Sequence, residues 1–261
     1  MRALSIAATG MNAQQMRVEV ISNNLANMNT TAYNARRAEF ADLHYQQLAR
    51  PGTIASATGT VVPTGIQMGL GVRPASVTME PQQGTIAQTN GELDVAIQGR
   101  GYLEVTLPSG VSAYTRDGAM KRTGEGLLVT SDGHPFVDDI TIPDDARSVS
   151  ISPEGEVYAY FIDRVEPELL GQMTLVGFTN EKGLEALGSN LYAETGASGA
   201  PVQGFAGEDG LGLFRQGYLE DSSVDAVREI TDLIEAQRGY EMNAKVITAA
   251  DQMLGATAQI R

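Results

Sequence analysis

Residues 4–28 read LSIAATGMNAQQMRVEVISNNLANM. Leu4, Met11, Val18 and Leu25 recur every seven residues, and Ala7, Gln14, Ile21 and Met28 fill the second inward position of the same heptad. A stripe held for nearly four heptads predicts a helix over residues 3–31 with a seam for another helix. A matching pattern stands at the other end of the chain. Leu233, Tyr240, Ile247 and Leu254 again step by seven, and Ile230, Gln237, Ala244, Asp251 and Ala258 fill the second seam position, predicting a helix over 223–258. Ser222 or Ser223 is expected to cap its start, with Asp225 and Glu229 near the positive end of the dipole. Arg228–Asp232 and Glu241–Lys245 are i,i+4 pairs of opposite charge that support it. At 1.5 Å per residue such helices are roughly 40–55 Å long.

The chain between them is of another kind. All 10 prolines lie from Pro51 to Pro201, and 25 of the 29 glycines lie in 46–215. Proline stops helices and glycine weakens them, so long helices are permitted at the ends and not in the middle. Strand-forming runs are expected at Asp94–Gln98, Tyr102–Leu107, Val111–Arg116, Leu127–Thr130, Ile140–Ile142, Ser148–Ser152, Glu156–Ile162 and Gln172–Phe178. Pro108-Ser109-Gly110, Asp117-Gly118, Asp132-Gly133 and Glu154-Gly155 punctuate them as turn signals. Turns every 8–12 residues or so suggest a sandwich or barrel-like β domain. Residues 46–90 are rich in Thr, Gly, Gln, Ala and Ser, with prolines at 51, 63, 74 and 81, and read as an extended connector. The expected fold class is therefore α+β. Long N- and C-terminal helices pair as a coiled coil (1–45 with 216–261), followed by an extended connector (46–90) and a β-rich domain (91–215).

Composition excludes several functions. The 261 residues contain no cysteine, so disulfides, thiolate metal sites and thiol catalysis are out. No apolar run reaches the ~18–20 residues of a membrane-spanning helix. Thr9, Gly10, Asn12, Gln14 and Gln15 interrupt any signal-peptide core, so export, if it occurs, is expected to keep the N-terminus. A net charge of −14, with 21 acidic against 10 basic residues in 46–215, argues against a nucleic-acid partner and reads as a solvated acidic surface. His44 and His134 are far apart and in no metal-binding spacing. Asp138-Asp139 and Asp144-Asp145 lack the alternation of a calcium loop. Gly99-Arg100-Gly101 begins like a dinucleotide fingerprint but lacks the third glycine and the following helix. Nothing gathers into a catalytic, cofactor or metal site, and no small-molecule substrate is expected.

The first helix carries an unusual surface. Residues 1–30 hold only Arg2, Arg17 and Glu19 as charges. A helix exposed to water normally displays charge on its outer face. This one is built to be covered on most sides, which one partner helix cannot do, and an oligomer is expected.

The same residues carry a resemblance. Ala8-Thr9-Gly10-Met11, Ile21-Ser22-Asn23-Asn24-Leu25-Ala26-Asn27 and Asn29-Thr30-Thr31 resemble the N-terminal motif of the bacterial flagellar rod and hook axial proteins. Ala236-Gln237-Arg238-Gly239-Tyr240-Glu241, Lys245-Val246-Ile247 and Ala250-Asp251-Gln252-Met253-Leu254 resemble its C-terminal motif. In the middle, Gly65-Ile66-Gln67-Met68-Gly69, Gly71-Val72-Arg73-Pro74, Asp94-Val95-Ala96-Ile97, Ala113-Tyr114-Thr115-Arg116-Asp117-Gly118, Gly188-Ser189-Asn190-Leu191-Tyr192 and Gln216-Gly217-Tyr218-Leu219-Glu220 are similar to the distal-rod branch. The family usually has Gly-Phe-Lys where Ala32-Tyr33-Asn34 stand, Asn at Ser223 and Ala at Gly239.

The resemblance implies a structural subunit of the basal body and no enzyme. Its terminal helices pack with those of neighbours into the inner tube of a hollow, torque-transmitting helical homopolymer, with the β domain outside. It implies export through the flagellar type III apparatus and, as partners, proximal-rod proteins, the hook protein and the surrounding ring proteins. The expected assembly residues are Leu4, Met11, Val18, Ile21, Leu25, Ile230, Leu233, Tyr240, Ile247 and Leu254. A proximal-rod or other axial paralogue, a secreted β-domain hydrolase and a secreted binding module remain as alternatives.

Overall fold

The computed structural model describes residues 2–49, 65–164 and 166–259. The chain divides into two compact units. The first holds residues 1–26, 36–78 and 225–261, and the second 27–35 and 79–224.

In the first unit, helix α1 (Arg2–Ala26) and strands β1 (Arg36–Asp42), β2 (Tyr45–Ala49), β3 (Ile66–Gly69) and β4 (Val72–Met79) precede the closing helix. β1 pairs with β4, and β2 pairs with β3 in an antiparallel ribbon. α1 ends earlier than the heptad count predicts. Asn24, 1% exposed, accepts the Arg36 N–H at 2.9 Å and donates to the Arg36 carbonyl at 2.8 Å. That capture requires the chain to reverse between the two residues. It does so in turns through Asn27 and Thr30, with Ala32 at φ 53. Met28, expected in the seam, lies past the helix end and is exposed.

The second unit contains β5 (Ile86–Gln88), β6 (Val95–Gln98), β7 (Leu103–Thr106), β8 (Ser112–Thr115), β9 (Lys121–Arg122), β10 (Leu128–Val129), β11 (Ala146–Ile151) and β12 (Glu156–Phe161). It continues with β13 (Glu168–Gln172), β14 (Thr174–Gly177), β15 (Glu185–Gly188), β16 (Leu191–Ala193), β17 (Val202–Phe205), β18 (Leu213–Gln216) and β19 (Tyr218–Glu220). These form small sheets: four strands in the order β15-β16-β8-β7, three in the order β11-β12-β13, and the pairs β9-β10, β14-β17, β18-β6 and β19-β5. The sheets close around one apolar core that includes Val95, Ile97, Leu103, Val105, Val157, Met173 and Leu175, all 2% exposed or less. Beside it Tyr102, Tyr114, Phe178 and Tyr192 make edge-to-face contacts with ring centroids 4.8–6.0 Å apart. Helix α2 (Ala226–Gln259) returns to the first unit.

Several expectations change in detail. The strand expected over Ile140–Ile142 is reduced to a bridge from Thr141 to Leu127, with Ile140 and Ile142 buried. Turn signals at Ser109-Gly110, Asp132-Gly133 and Glu154-Gly155 each reverse the chain. At Asp117-Gly118 the backbone instead packs edge-on, and the Gly118 carbonyl accepts the Val95 N–H at 3.0 Å. A Cβ on Gly118 would collide with the Val95 carbonyl. Of the expected connector over 46–90, residues 50–64 lie outside the described residues, and the rest contributes β2–β5. Backbone groups there are satisfied by strand pairing, which composition does not reveal. The start of α2 is capped by Asp225, whose Oδ1 accepts the Val227 and Arg228 N–H groups at 3.0 and 3.3 Å. Ser222 and Ser223 bond elsewhere, to Val224 and Ala35.

Candidate assembly interface

The helix that opens the chain and the one that closes it lie antiparallel against each other. Arg17 Nη2 meets Asp232 at 2.7 Å and Glu235 at 3.5 Å, and Asn24 donates to Glu229 at 3.1 Å. Asp232 therefore pairs across the helices, where the sequence suggested a partner four residues back. The contact face is built of small residues. Ala7, Ala13, Ala236 and Ala250 are buried, with Ile21 among them. A Cβ on Gly10 would stand 3.0 Å from Asn243, and one on Gly239 3.1 Å from Gln14. Small side chains let the backbones approach, leaving little room for large apolar ones.

The expected assembly residues divide accordingly. Leu4, Met11, Val18, Leu25, Leu233 and Ile247 are half-buried, and Ile21 is buried. Ile230, Tyr240 and Leu254 are exposed, as are Gln237 and Asp251. The inward column of α2 runs through Ala236, Gly239, Asn243, Ile247 and Ala250. Ala236, Asn243 and Ala250 are themselves seven residues apart, so the inward column keeps heptad spacing but lies one residue before Gln237, Ala244 and Asp251.

A second apolar set of α2 side chains is exposed among the described residues. Val227 and Ile234, then Met242 and Val246, wind along the helix, with Val227 at 75% and Met242 at 62% exposure. α2 also outlasts its partner, with 34 residues against 25, so Met253 and Leu254 lie beyond the start of α1. The exposed side of α1 shows Ser5, Asn12, Gln15 and Ser22, with Glu19, which accepts from Gln15 at 3.1 Å, as the charge among them. Sequence reading missed the second apolar face because it scored only the heptad seams. The signal was present in the apolar residues at 227, 234, 242 and 246.

The motif residues are also joined in space. Within the first unit, Thr9 Oγ1 donates to the Ile6 carbonyl at 2.7 Å and accepts the Val72 N–H at 3.3 Å, bringing the N-terminal motif onto the β3–β4 turn. Within the second, Asn190 donates to the Thr31 carbonyl at 3.0 Å. Gln216 donates to the Glu92 and Val149 carbonyls and accepts from the Ile151 N–H. Gly99-Arg100-Gly101 is no phosphate cradle. The Gly99 and Gly101 carbonyls, both at 3.0 Å, hold the guanidinium of buried Arg116.

Of the ionisable groups that sequence singled out, Asp138 and Asp144 make side-chain contacts. Asp138 accepts both the backbone N–H and the hydroxyl of Thr174, and burial raises its pKa. Asp144 lies 3.9 Å from Arg122. His44 is exposed and His134 half-buried. Burial, reinforced by nearby Glu181, raises the pKa of the Tyr102 phenol. A cleft of about 170 Å³ beside it, lined by Asn34, Gln83, Arg100 and Arg116 among others, is smaller than the ~300 Å³ at which ligand pockets begin. Among the described residues no three or more His, Cys, Asp or Glu side chains converge on a metal position, and no helix is long and apolar enough to cross a membrane.

The chain matches three protein families. Residues 4–33 match "Flagella basal body rod protein", residues 96–159 "Flagellar hook protein FlgE/F/G D1 domain", and residues 215–260 "Flagellar basal body rod FlgEFG protein C-terminal". It is 52% identical over 261 residues to the flagellar basal-body rod protein FlgG of Caulobacter vibrioides, covering 100% of both chains. It is 49% identical over 253 residues to that of Agrobacterium fabrum, covering 97% of each. With that of Borreliella burgdorferi the identity is 45% over 257 residues, covering 98% of this chain and 97% of the relative.

Proposed function

Because this chain belongs to the FlgG family of flagellar basal-body rod proteins, we propose that it polymerises into the distal rod, the hollow shaft that passes motor torque to the hook. It is a structural subunit of the basal body that assembles with its own copies and with other flagellar components. Its neighbours in this reading are proximal-rod proteins below, hook protein above and ring proteins around it. It reaches the rod through the flagellar type III export apparatus.

The observation that carries this reading is the second apolar face of α2. Burying one such side chain is worth about 1.5–3 kcal/mol. A head-to-tail contact that leaves the same face open on the next copy does not close, and it propagates a helical filament. In this arrangement the helices wind as a coiled coil, with Leu4, Met11, Val18, Ile21, Leu25, Ile230, Leu233, Tyr240, Ile247 and Leu254 divided between the pair and its neighbours. The charge-poor outer side of α1, with Glu19 among Ser5, Asn12, Gln15 and Ser22, suits a packed position in which each charge would be costly to desolvate.

Electron microscopy of basal bodies from a strain lacking this chain tests the reading. Rods that stop short and carry no hook are expected; complete hooks and filaments would overturn it.

A further inference from the structure

Three stretches of the second unit are continuous with the first unit: residues 27–35, 79–84 and 218–224. Within the second unit they are bonded to one another. The Ala32 N–H donates to the Glu220 carbonyl at 2.8 Å, the Ser223 N–H to the Tyr33 carbonyl at 3.0 Å, and the Glu80 N–H to the Ala35 carbonyl at 2.9 Å. Ser223 Oγ accepts the Ala35 N–H at 2.9 Å. The Asp221 N–H donates to the Thr85 carbonyl at 2.8 Å, and a Cβ on Gly84 would collide with the Asp221 carbonyl.

One side chain ties this bundle to the core. Glu220, 3% exposed, accepts the Gly84 N–H on Oε1 at 3.0 Å and two donors of Arg116 on Oε2, at 2.8 and 3.1 Å. Arg116 spends its remaining donors on the carbonyls of Ile97, Gly99 and Gly101. A buried ion pair is a weak way to add stability, since desolvation offsets most of its attraction. It is a strong way to hold a particular geometry, because breaking it strands a charge. From that asymmetry we propose that Arg116 and Glu220 form a mechanical root. They fasten to the β core the three stretches that lead from it to α1, β4 and α2, so that load on those stretches reaches the core as one body. The role concerns torque under load and is separate from polymerisation. It rests on the rod reading above only for its biological meaning, since the root itself is a property of the isolated chain.

Force spectroscopy on the full-length chain tests it. With no native cysteine, Met28→Cys and Ser109→Cys give two unique handles, one on the 27–35 stretch and one at the exposed β7–β8 turn. Glu220→Gln keeps the shape but sets an amide NH2 against either the Gly84 N–H or Arg116, both donors. At a fixed force the attachment is expected to fail at least about tenfold sooner than in wild type. Ser223→Ala, which removes a single hydrogen bond, is expected to shorten it by a smaller factor of roughly two to ten. In cells, Glu220→Gln is expected to build rods and hooks in normal number yet swim more slowly as viscosity rises. Equal lifetimes under force for wild type and Glu220→Gln would overturn the root. So would loss of the β fold in Glu220→Gln without applied force, which would make the pair an ordinary core contact. Complete hooks in the strain lacking the chain would overturn the rod reading and leave the force result standing.

Discussion

The two units differ in both charge and core. The first carries 10 basic and nine acidic residues, the second eight and 23, so the negative charge of the chain resides in the second. The second buries valine, leucine, isoleucine and aromatic rings in a continuous core, whereas the paired helices of the first bury chiefly alanine. A core of alanines contributes little transfer free energy, while large aliphatic side chains each contribute kilocalories. The second unit thus has a large apolar core of its own, with most of its carboxylates, Glu220, Asp117 and Asp138 excepted, at the surface. Helix α2 instead exposes large apolar side chains such as Val227, Ile234, Met242 and Val246, which the proposed assembly would cover.

Substitutions can break this contrast. The largest effect is expected on assembly. Ile234→Asp or Val246→Asp, on the open face of α2, should abolish rods in electron micrographs while moving the urea stability of the isolated chain by no more than about 0.5 kcal/mol. Leu233→Asp, half-buried against α1, and Leu25→Asp should also block rods and loosen the helix pair, leaving the unfolding of the β unit in place. Normal rods in any of these variants would contradict the proposed interface.

Next comes Leu175→Ala in the fully buried β core, expected to cost about 2–5 kcal/mol in denaturant titration. A loss under about 1 kcal/mol would mean the second unit is not the self-sufficient one.

A smaller effect concerns pH. Burial raises the pKa of Asp117, with Asp132 and Asp94 adding to the rise and hydrogen bonds from Ala119 and Asn190 opposing it. The folded-state pKa lies above the unfolded one, so the folded chain binds the proton more tightly. Stability of the second unit should therefore fall as pH rises from the ordinary carboxylate pKa through the raised one. Asp117→Asn should be more stable than wild type at pH 7 and should flatten that slope in urea titrations across pH. An unchanged slope would remove Asp117 from the account.

The smallest expected change is Gly239→Ala. Helix propensity favours alanine by about 1 kcal/mol. The nearest neighbour of the new methyl is the Gln14 side chain, at 3.1 Å. A net gain of a few tenths of a kcal/mol in the helix pair, seen as slower amide exchange near residue 239, is the expected balance.

Much of this was legible in the sequence. Proline and glycine exclusion from the ends, heptads at both termini and turn signals in the middle identify two long helices around a β-rich segment. These signals are local, and local spacing alone carries them. The inward face of the helix pair was not so legible. A search for large apolar residues passes over Ala236, Ala250, Gly10 and Gly239, which make the close contact because they are small. The end of α1 was decided by Asn24 reaching Arg36, and the cap of α2 by Ser223 being engaged with Ala35, neither of which a local window contains. Arg116 and Glu220 are 104 residues apart, and nothing in either stretch names the other as its partner. By itself the sequence determined which segments are helical, which are strand-forming and where the charge lies, because those follow from composition and period. Only the tertiary structure decided which polar side chains are buried together and which apolar face is left open, because those depend on contacts between residues far apart in the chain.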